Sequence, residues 1–570
     1  MKQKNFLFKS ALLLVALFSG ASASWADNVA VTVNNDSELK TAYETAYNSE
    51  VAGTTVITMN AGTYTCEGMS YKQLQMPKVR SVTLQAAEGA KVTLTTKVVS
   101  DGGGTPTGSL TFKGIFLISS NDTFINITSC GNVDHISFID CDITAIESTH
   151  RFLIKNGNAS YTLNTISFNG CIIHDMGNGY YLIDPTHKVQ NVSFTNSTIY
   201  NYNGDQLFHP ETASDDIFTF VFNNNTVYKC GSNSRTGMLY VDNKYNNALN
   251  TFTFKDNIFW DKYGTGEAHV FYSKTGAGTV IQKNNALHTY TAEWNTGSYT
   301  KDYDNLDYTG SIPFYDAENQ NFGIHPSHTL ATASTTGGVV GDPRWLIVCL
   351  NEASDYTNTA KSFAVVELTR TLPNDKWATI VLPFAMTNAQ ITSAFGANAK
   401  VAQLTGYSTD KLQFTSVTTM NAHEPYLIQV ASGDSYSGKA TINGVDITTG
   451  TPSKTSVSGV DFIGSYDAST DIPFSDGSIK YYFISSNALW QSATSGTHDT
   501  MKGFRAYFKV PGTTAANQLT FTVDDETTGV AEVRGQKENV RNEYFDLQGR
   551  KVAQPTKGLY IVNGKKVIIK

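Results

Sequence analysis

Five stretches of the chain carry ionisable side chains at matching places: "RFLIKNG" (151–157), "YYLIDPTH" (180–187), "QLFHPET" (206–212), "MLYVDNK" (238–244) and "HVFYSK" (269–274). Superposed on Leu153, Leu182, Leu207, Leu239 and Val270, they place Lys155, Asp184, His209 and Asp242 near one another, the first three in one column. Arg151, His187, Glu211 and Lys244 flank it. These are the groups of acid–base chemistry. His209 can take or give a proton near neutral pH, and Lys155, Arg151 or Lys244 can act as a base or neutralise an anion. Asp184 with Glu211 or Asp242 offers oxygen ligands of the kind Ca2+ takes. Tyr180, Tyr181 and Tyr240 lie close by, and with His187 and Lys244 they complete a candidate binding surface. A solvated polar face with ion pairs between neighbouring segments uses the same residue types.

A column needs a frame that returns at a fixed period, and the chain has one. "ISFIDCDI" (136–143) comes back as "ISFNGCII", "VSFTNSTI", "FVFNNNTV" and "FTFKDNIF". The third residues are Phe138, Phe168, Phe194, Phe222 and Phe254, and the register extends back through Phe112 to Leu84 and forward to Gln282. Steps of 26 to 32 residues, rich in β-branched and aromatic side chains and without a helical segment per repeat, predict one coil of a right-handed parallel β-helix per step. Leucine-rich repeats, of similar period, would need Leu at most inward places. Two positions after each ladder residue stand Gly114, Asp140, Gly170, Asn196, Asn224, Asp256 and Asn284, residue types that tolerate left-handed backbone. They predict a stacked corner.

The chain has 570 residues, too many for one ordinary core, and only 16% are charged. A formal net charge of −8 and the lack of a Lys/Arg block argue against a nucleic-acid partner. The start, "MKQKNFLFKSALLLVALFSGASASWADN", has a basic stretch, a short apolar core and small residues ending at Ala23 or Ala26, so 1–26 reads as a secretory signal peptide. The expected location is secreted or at the outer cell surface. Cys141 and Cys171 share a column in successive coils, where a disulfide and a pair of stacked free thiols are equally compatible with strand spacing. No cysteine–histidine cluster suggests zinc. "DGGGTPTG" (101–108) lacks the Lys-Ser/Thr ending of a phosphate loop.

Before the repeats, Asn35 or Asp36 can cap a helix with Leu39, Ala42, Tyr43, Ala46 and Tyr47 on one face, followed by "TTVITMNAGTYT". A capping helix, then "ITMNAGTY", then Asn-rich coils resembles the pectin-lyase-like family of β-helix proteins, in particular its chondroitinase B and alginate lyase branch. That resemblance implies a polysaccharide ligand over residues 28–345. The lyases' characteristic Lys and Arg motifs are not found at matching positions, so it assigns no catalytic residue. From 350 to 525, short strands such as "HEPYLIQV", "VDFIGSY" and "GFRAYFKV" predict a β-sandwich accessory domain. Residues 526–570, with "DLQGRKV" and "KGLYIVNGKKVIIK", resemble the C-terminal sorting modules of type IX secretion substrates, which implies secretion machinery as a partner; a small sandwich completing the preceding domain fits the same strands.

The expected architecture is therefore all-β: a parallel β-helix, a β-sandwich and a small C-terminal β module, in a monomer. Eliminative cleavage of a uronic-acid polysaccharide would need a base, an acid and a cation or Ca2+, which the charged column can supply. The broad expectation is a surface that binds or processes polysaccharide, acidic glycans included. A calcium-assisted lyase and a non-catalytic adhesin or structural surface protein are the alternatives.

Overall fold

The computed structural model describes residues 28–532 except 101–105, 121–122, 146–151, 157–158, 177–180, 232–235, 242–243, 296, 409, 486–487, 513–518 and 525. Beyond 532 it describes 544–545, 551–552, 558–562 and 565–569. The leader expected at 1–26 lies outside the described residues. The chain divides into two compact units between Leu346 and Ile347.

The first unit is a parallel β-solenoid of about nine turns. Each coil contributes strands to three parallel ladders, here called the first, second and third face. On the first face the backbone register runs Leu84, Phe112, Phe138, Phe168, Phe194, Phe222, Phe254 and Gln282, the column expected from the repeat. Alternation along a strand turns every second residue inward. Ile136 and Phe138 are fully buried while Ser137 is half-buried. The aromatic rings then stack along the axis: Phe168 lies 4.7 Å from Phe138 and 4.6 Å from Phe194, within 8° of parallel in both pairs. The corner column also forms as expected, since all seven of its residues have φ between 50° and 66°. Gly, Asn and Asp recur there because other side chains resist that backbone.

Behind each of those corner residues a second column turns inward, and the repeat pattern did not announce it. Asn225, Asn257 and Asn285 are fully buried. Asn257 Oδ1 accepts from the Asn225 backbone N–H at 2.8 Å, and Asn285 Oδ1 accepts from that of Asn257 at 3.1 Å. Each Nδ2 donates to a carbonyl of the preceding coil: Asn225 to Phe194, Asn257 to Phe222, Asn285 to Phe254. Towards the N-terminus the same column holds Ser197, Cys171 and Cys141, with Ser197 Oγ accepting from the Cys171 N–H. Both cysteines are buried free thiols, so the disulfide alternative is set aside. Burial, with Cys141 alongside, pushes the Cys171 thiol well above its usual pKa.

The two ends of the solenoid close differently. At the start, the helix Asp36–Asn48 forms with Asn35 as its N-cap, accepting from the Glu38 N–H at 3.0 Å, and buries Leu39, Tyr43 and Ala46. Tyr43 donates its hydroxyl to the Gln75 carbonyl of the first third-face strand. At the other end polar groups take over: buried Gln282 donates to the Ala292 carbonyl and accepts from Asn305.

After the last coil, residues 307–345 run back along the second face. Phe314 and Phe322 pack on Tyr228, and Phe322 also meets Tyr200 and Trp345. The stretch "GDPRW" fastens the end. Buried Asp342 accepts from Thr198 Oγ1 at 2.7 Å and from Arg344 Nε at 2.6 Å, and Trp345 Nε1 donates to the same Thr198 oxygen. Arg344 also donates to the carbonyls of Cys171 and Asn196. Gly341, at φ +93°, approaches Thr226 so closely that a Cβ would lie 2.8 Å from its hydroxyl.

On the same face His174 sits between two carboxylates, Asp175 at 2.7 Å and Asp142 at 3.0 Å. Burial disfavours the charged ring, but the two carboxylates outweigh it and the folded pKa lies above 6.5. A raised histidine pKa contributes stability that is complete below the unfolded value and is lost as pH rises through the folded one. Urea midpoints of the full chain should therefore fall as pH rises past the ordinary histidine value of 6.5 and through the raised folded one, and His174→Gln should flatten that part of the profile. Identical profiles would show that the clamp contributes nothing.

The second unit carries sheets in a β-sandwich-like arrangement. Its strands run mainly antiparallel, as in the pairs Trp377–Val381 with Pro425–Gln429 and Val460–Ser465 with Arg505–Pro511. A helix spans Asn388–Phe395 in "TNAQITSAFG", closed by a capping box between Thr387 and Gln390. In the C-terminal segment the described strands Tyr544–Phe545, Lys551–Val552, Gly558–Val562 and Lys565–Ile569 form one four-stranded sheet.

Candidate functional site on the third face

The third face is built from Leu74–Gln75, Val98–Val99, Thr123–Asn126, Phe152–Asn156, Tyr181–Pro185, Gln206–Phe208, Thr236–Tyr240, Ala268–Ser273 and Thr291–Asn295. Register pairs Asn126 with Lys155 and Lys155 with Asp184. Ile183 pairs with Phe208, which sets Asp184 beside His209. Three members of the expected column, Lys155, Asp184 and His209, are thus neighbours on successive coils.

The next step departs from the expectation. Phe208 pairs with Leu239, so Tyr240 follows His209 in the column, and Tyr272 and Trp294 continue it. Aligning Leu207 with Leu239 was one residue out, and Leu239 pairs with Phe271 where Val270 was expected. Asp242, together with Arg151 and Tyr180, lies outside the described residues. Tyr272 stands two residues after Val270, as His209 does after Leu207, so the superposition already held it unremarked, while Trp294 lies beyond the five stretches.

The pair at the centre is well defined. His209 Nδ1 stands 3.0 Å from Asp184 Oδ1, and the two side chains are 19% and 4% exposed. Tyr181 stacks on the imidazole at 4.0 Å and 12°, and Tyr240 covers its other side at 5.3 Å and 14°. Tyr240 in turn meets Tyr272 at 5.0 Å, and Tyr272 meets Trp294 at 4.5 Å. The rings turn their faces to one another. Tyr240, expected to stack on a sugar, is covered on both faces and offers only its edge and hydroxyl, while Tyr181 has one face against His209.

The flanking residues divide. Glu211 accepts from Thr186 Oγ1 at 2.7 Å, and Lys244 Nζ donates to the Glu211 backbone carbonyl at 2.8 Å, so these three sit together beside the column. His187 does not line the surface: it is 1% exposed, bonds the Gly131 carbonyl through Nε2, and burial lowers its pKa. A ring so enclosed cannot meet an external ligand. Of the three residues expected as calcium ligands, Asp184 bonds His209, Glu211 accepts from Thr186, and Asp242 lies outside the described residues.

A family model described as a domain of unknown function (DUF5123) matches residues 220–345, which cover the last coils and the returning segment. No curated protein matches the chain. The column runs into the matched region through Tyr240, Tyr272 and Trp294, whereas Lys155, Asp184 and His209 precede it.

Proposed function

We propose that this is a secreted or cell-surface protein that binds or processes polysaccharide along the third face of a pectin-lyase-like solenoid. One observation carries the reading: Lys155, Asp184, His209, Tyr240, Tyr272 and Trp294 stand in one register on successive coils. Parallel pairing spaces such side chains about 4.8 Å apart, a repeat comparable with the rise of an extended glycan, so one coil meets about one sugar. Polar ring edges, an imidazole and an ammonium suit hydroxyl and carboxylate recognition. The leader-like start and the sorting-like end support export through a dedicated secretion machinery. The polysaccharide lyase reading is favoured by one further observation, the Asp184–His209 pair; among the described residues the donor set gives no reason to route it through calcium.

Replacing Lys155 by alanine together with His209 by glutamine tests the groove. Glutamine keeps an N–H for the buried Asp184 carboxylate, so the melting temperature should stay within a degree or two. Affinity for an acidic polysaccharide should fall about tenfold or more, because the ammonium and the imidazole no longer meet the ligand. Calorimetric titration alongside thermal melting reads both quantities. Unchanged affinity in the folded double variant would place glycan binding elsewhere.

A further inference from the structure

We propose that Arg370, Arg505 and Lys502 of the second unit form a binding site for a small oxyanion, a sulfate-like group held by guanidinium N–H donors that the fold leaves without acceptors. The site stands apart from the third face and does not rest on the polysaccharide reading.

Three segments bring the cluster together. Arg370 follows the strand Lys361–Thr369, Glu352 follows Val348–Asn351, and Arg505 opens Arg505–Pro511. The Glu352 N–H donates to the Thr369 carbonyl at 3.0 Å, and the Gly503 N–H donates to the Glu352 carbonyl at 3.0 Å, which ties the segments side by side. Arg370 is 1% exposed and donates through Nη1 to the Phe504 carbonyl at 2.6 Å and through Nη2 to that of Thr379. The first of these bonds sets its guanidinium next to the start of the Arg505 strand. The Arg505 side chain is 25% exposed and that of Lys502 58%, so the cluster reaches from the core to solvent.

The charges do not balance. Glu352 is the carboxylate of the cluster, and both its oxygens are taken: Oε2 by Arg505 Nη2, and Oε1 by Lys502 at 3.3 Å and Thr371 Oγ1 at 3.1 Å. Burial opposes its charge, but Arg505, Thr371 and Lys502 outweigh burial and hold its pKa below the usual value. Among the described residues no carboxylate bonds Arg370. Burial, with Arg505 alongside, brings its guanidinium down to about 9, so it is still charged at neutral pH. Three cations thus share one anion, and a buried cation left uncompensated is costly. The Nε atoms of Arg370 and Arg505 are both buried and have no hydrogen-bond partner among the described residues. Arg80 and Arg344 of the first unit use theirs, on Thr55 Oγ1 at 3.0 Å and Asp342 Oδ2 at 2.6 Å. A water satisfies an orphaned N–H but brings no charge. An oxyanion does both, and its oxygens match the guanidinium donors.

The test titrates the full chain with sodium sulfate by calorimetry, at an ionic strength held constant with sodium chloride, and follows thermal melting alongside. Saturable binding of one sulfate per chain is expected. Sulfate also stabilises folded proteins by exclusion from their surface, without saturating, so the variants decide. Arg505→Gln should weaken sulfate binding about tenfold or more, because it removes a charge and one of the two orphaned donors. Lys502→Gln, at an exposed position, should weaken it about threefold and decides the matter where Arg505→Gln does not fold. Lys454→Gln removes an exposed charge elsewhere on the unit and should leave the affinity unchanged. Displacement of the sulfate by chondroitin sulfate but not by its desulfated form would support the site and assign the group to a sulfated glycan. Saturable binding without displacement would support it with the free ion as ligand. No saturable binding by the wild type, or equal affinity in Lys502→Gln, Lys454→Gln and the wild type, would overturn the proposal.

Discussion

Replacing Asn257 with leucine is expected to destabilise the solenoid by about 3 kcal/mol, although the two side chains have similar volume. The loss comes from unmatched polar groups inside a dry column. The leucine leaves the Asn225 N–H without its 2.8 Å acceptor and takes from the Phe222 carbonyl its 2.7 Å donor, both fully buried. Each orphaned group costs about 1–3 kcal/mol, while the extra apolar area recovers only part of that. Because coils contact mainly their neighbours, the damage should be local. Hydrogen exchange read by mass spectrometry should show lost protection around 222–226 and 254–258, with residues 54–64 unchanged. Unaltered exchange near the substitution would mean that the stacked amides contribute no net stability.

Phe168→Ala should cost about 3–5 kcal/mol. Phe168 is fully buried and touches a parallel ring on each side, Phe138 and Phe194, so truncation removes its own burial and opens a void between two rings that the backbone ladder prevents from closing up. Phe168→Leu keeps most of the volume and should cost distinctly less. Urea unfolding of the full chain, followed by near-ultraviolet circular dichroism, compares the two. Equal midpoints for alanine and leucine would show that the interior relaxes around the gap.

The first face was legible in the sequence because its strands alternate. Ile136, Phe138 and their counterparts point in while Ser137 and its counterparts do not, so the period of two fixes the register and the period near 28 residues fixes the coil. The third face lacks that contrast. Leu153 and Ile154, Leu182 and Ile183, Leu207 and Phe208, and Met238 and Leu239 are all buried in consecutive pairs, so a one-residue slip leaves the apolar pattern looking the same. That is why Lys155, Asp184 and His209 aligned correctly while the slip at Leu239 kept Tyr240 out of the column. The buried amides were missed for a different reason. In "NNNTV", "KDNIF" and "KNNAL" they stand directly after the left-handed corner residue, and two adjacent polar residues read as one wet turn. Recurrence of the same residue type at the second place in three coils was the available signal.

The segment 307–345 changes how the stack would respond to force. A solenoid joined only between neighbours gives way at its weakest seam, one coil after another, as a zip does. Here Arg344 holds carbonyls at Cys171 and Asn196, Asp342 holds Thr198 and Thr226, and Gly341 and Thr335 are tied to Asp256. One short length of chain is thereby nailed across four successive coils like a batten across planks. Tension applied along the axis in this stretch is shared among the three seams between those coils, and the first rupture must shear the batten's bonds together with those of the seam it crosses. Under load, that converts a sequence of small failures into a single large one.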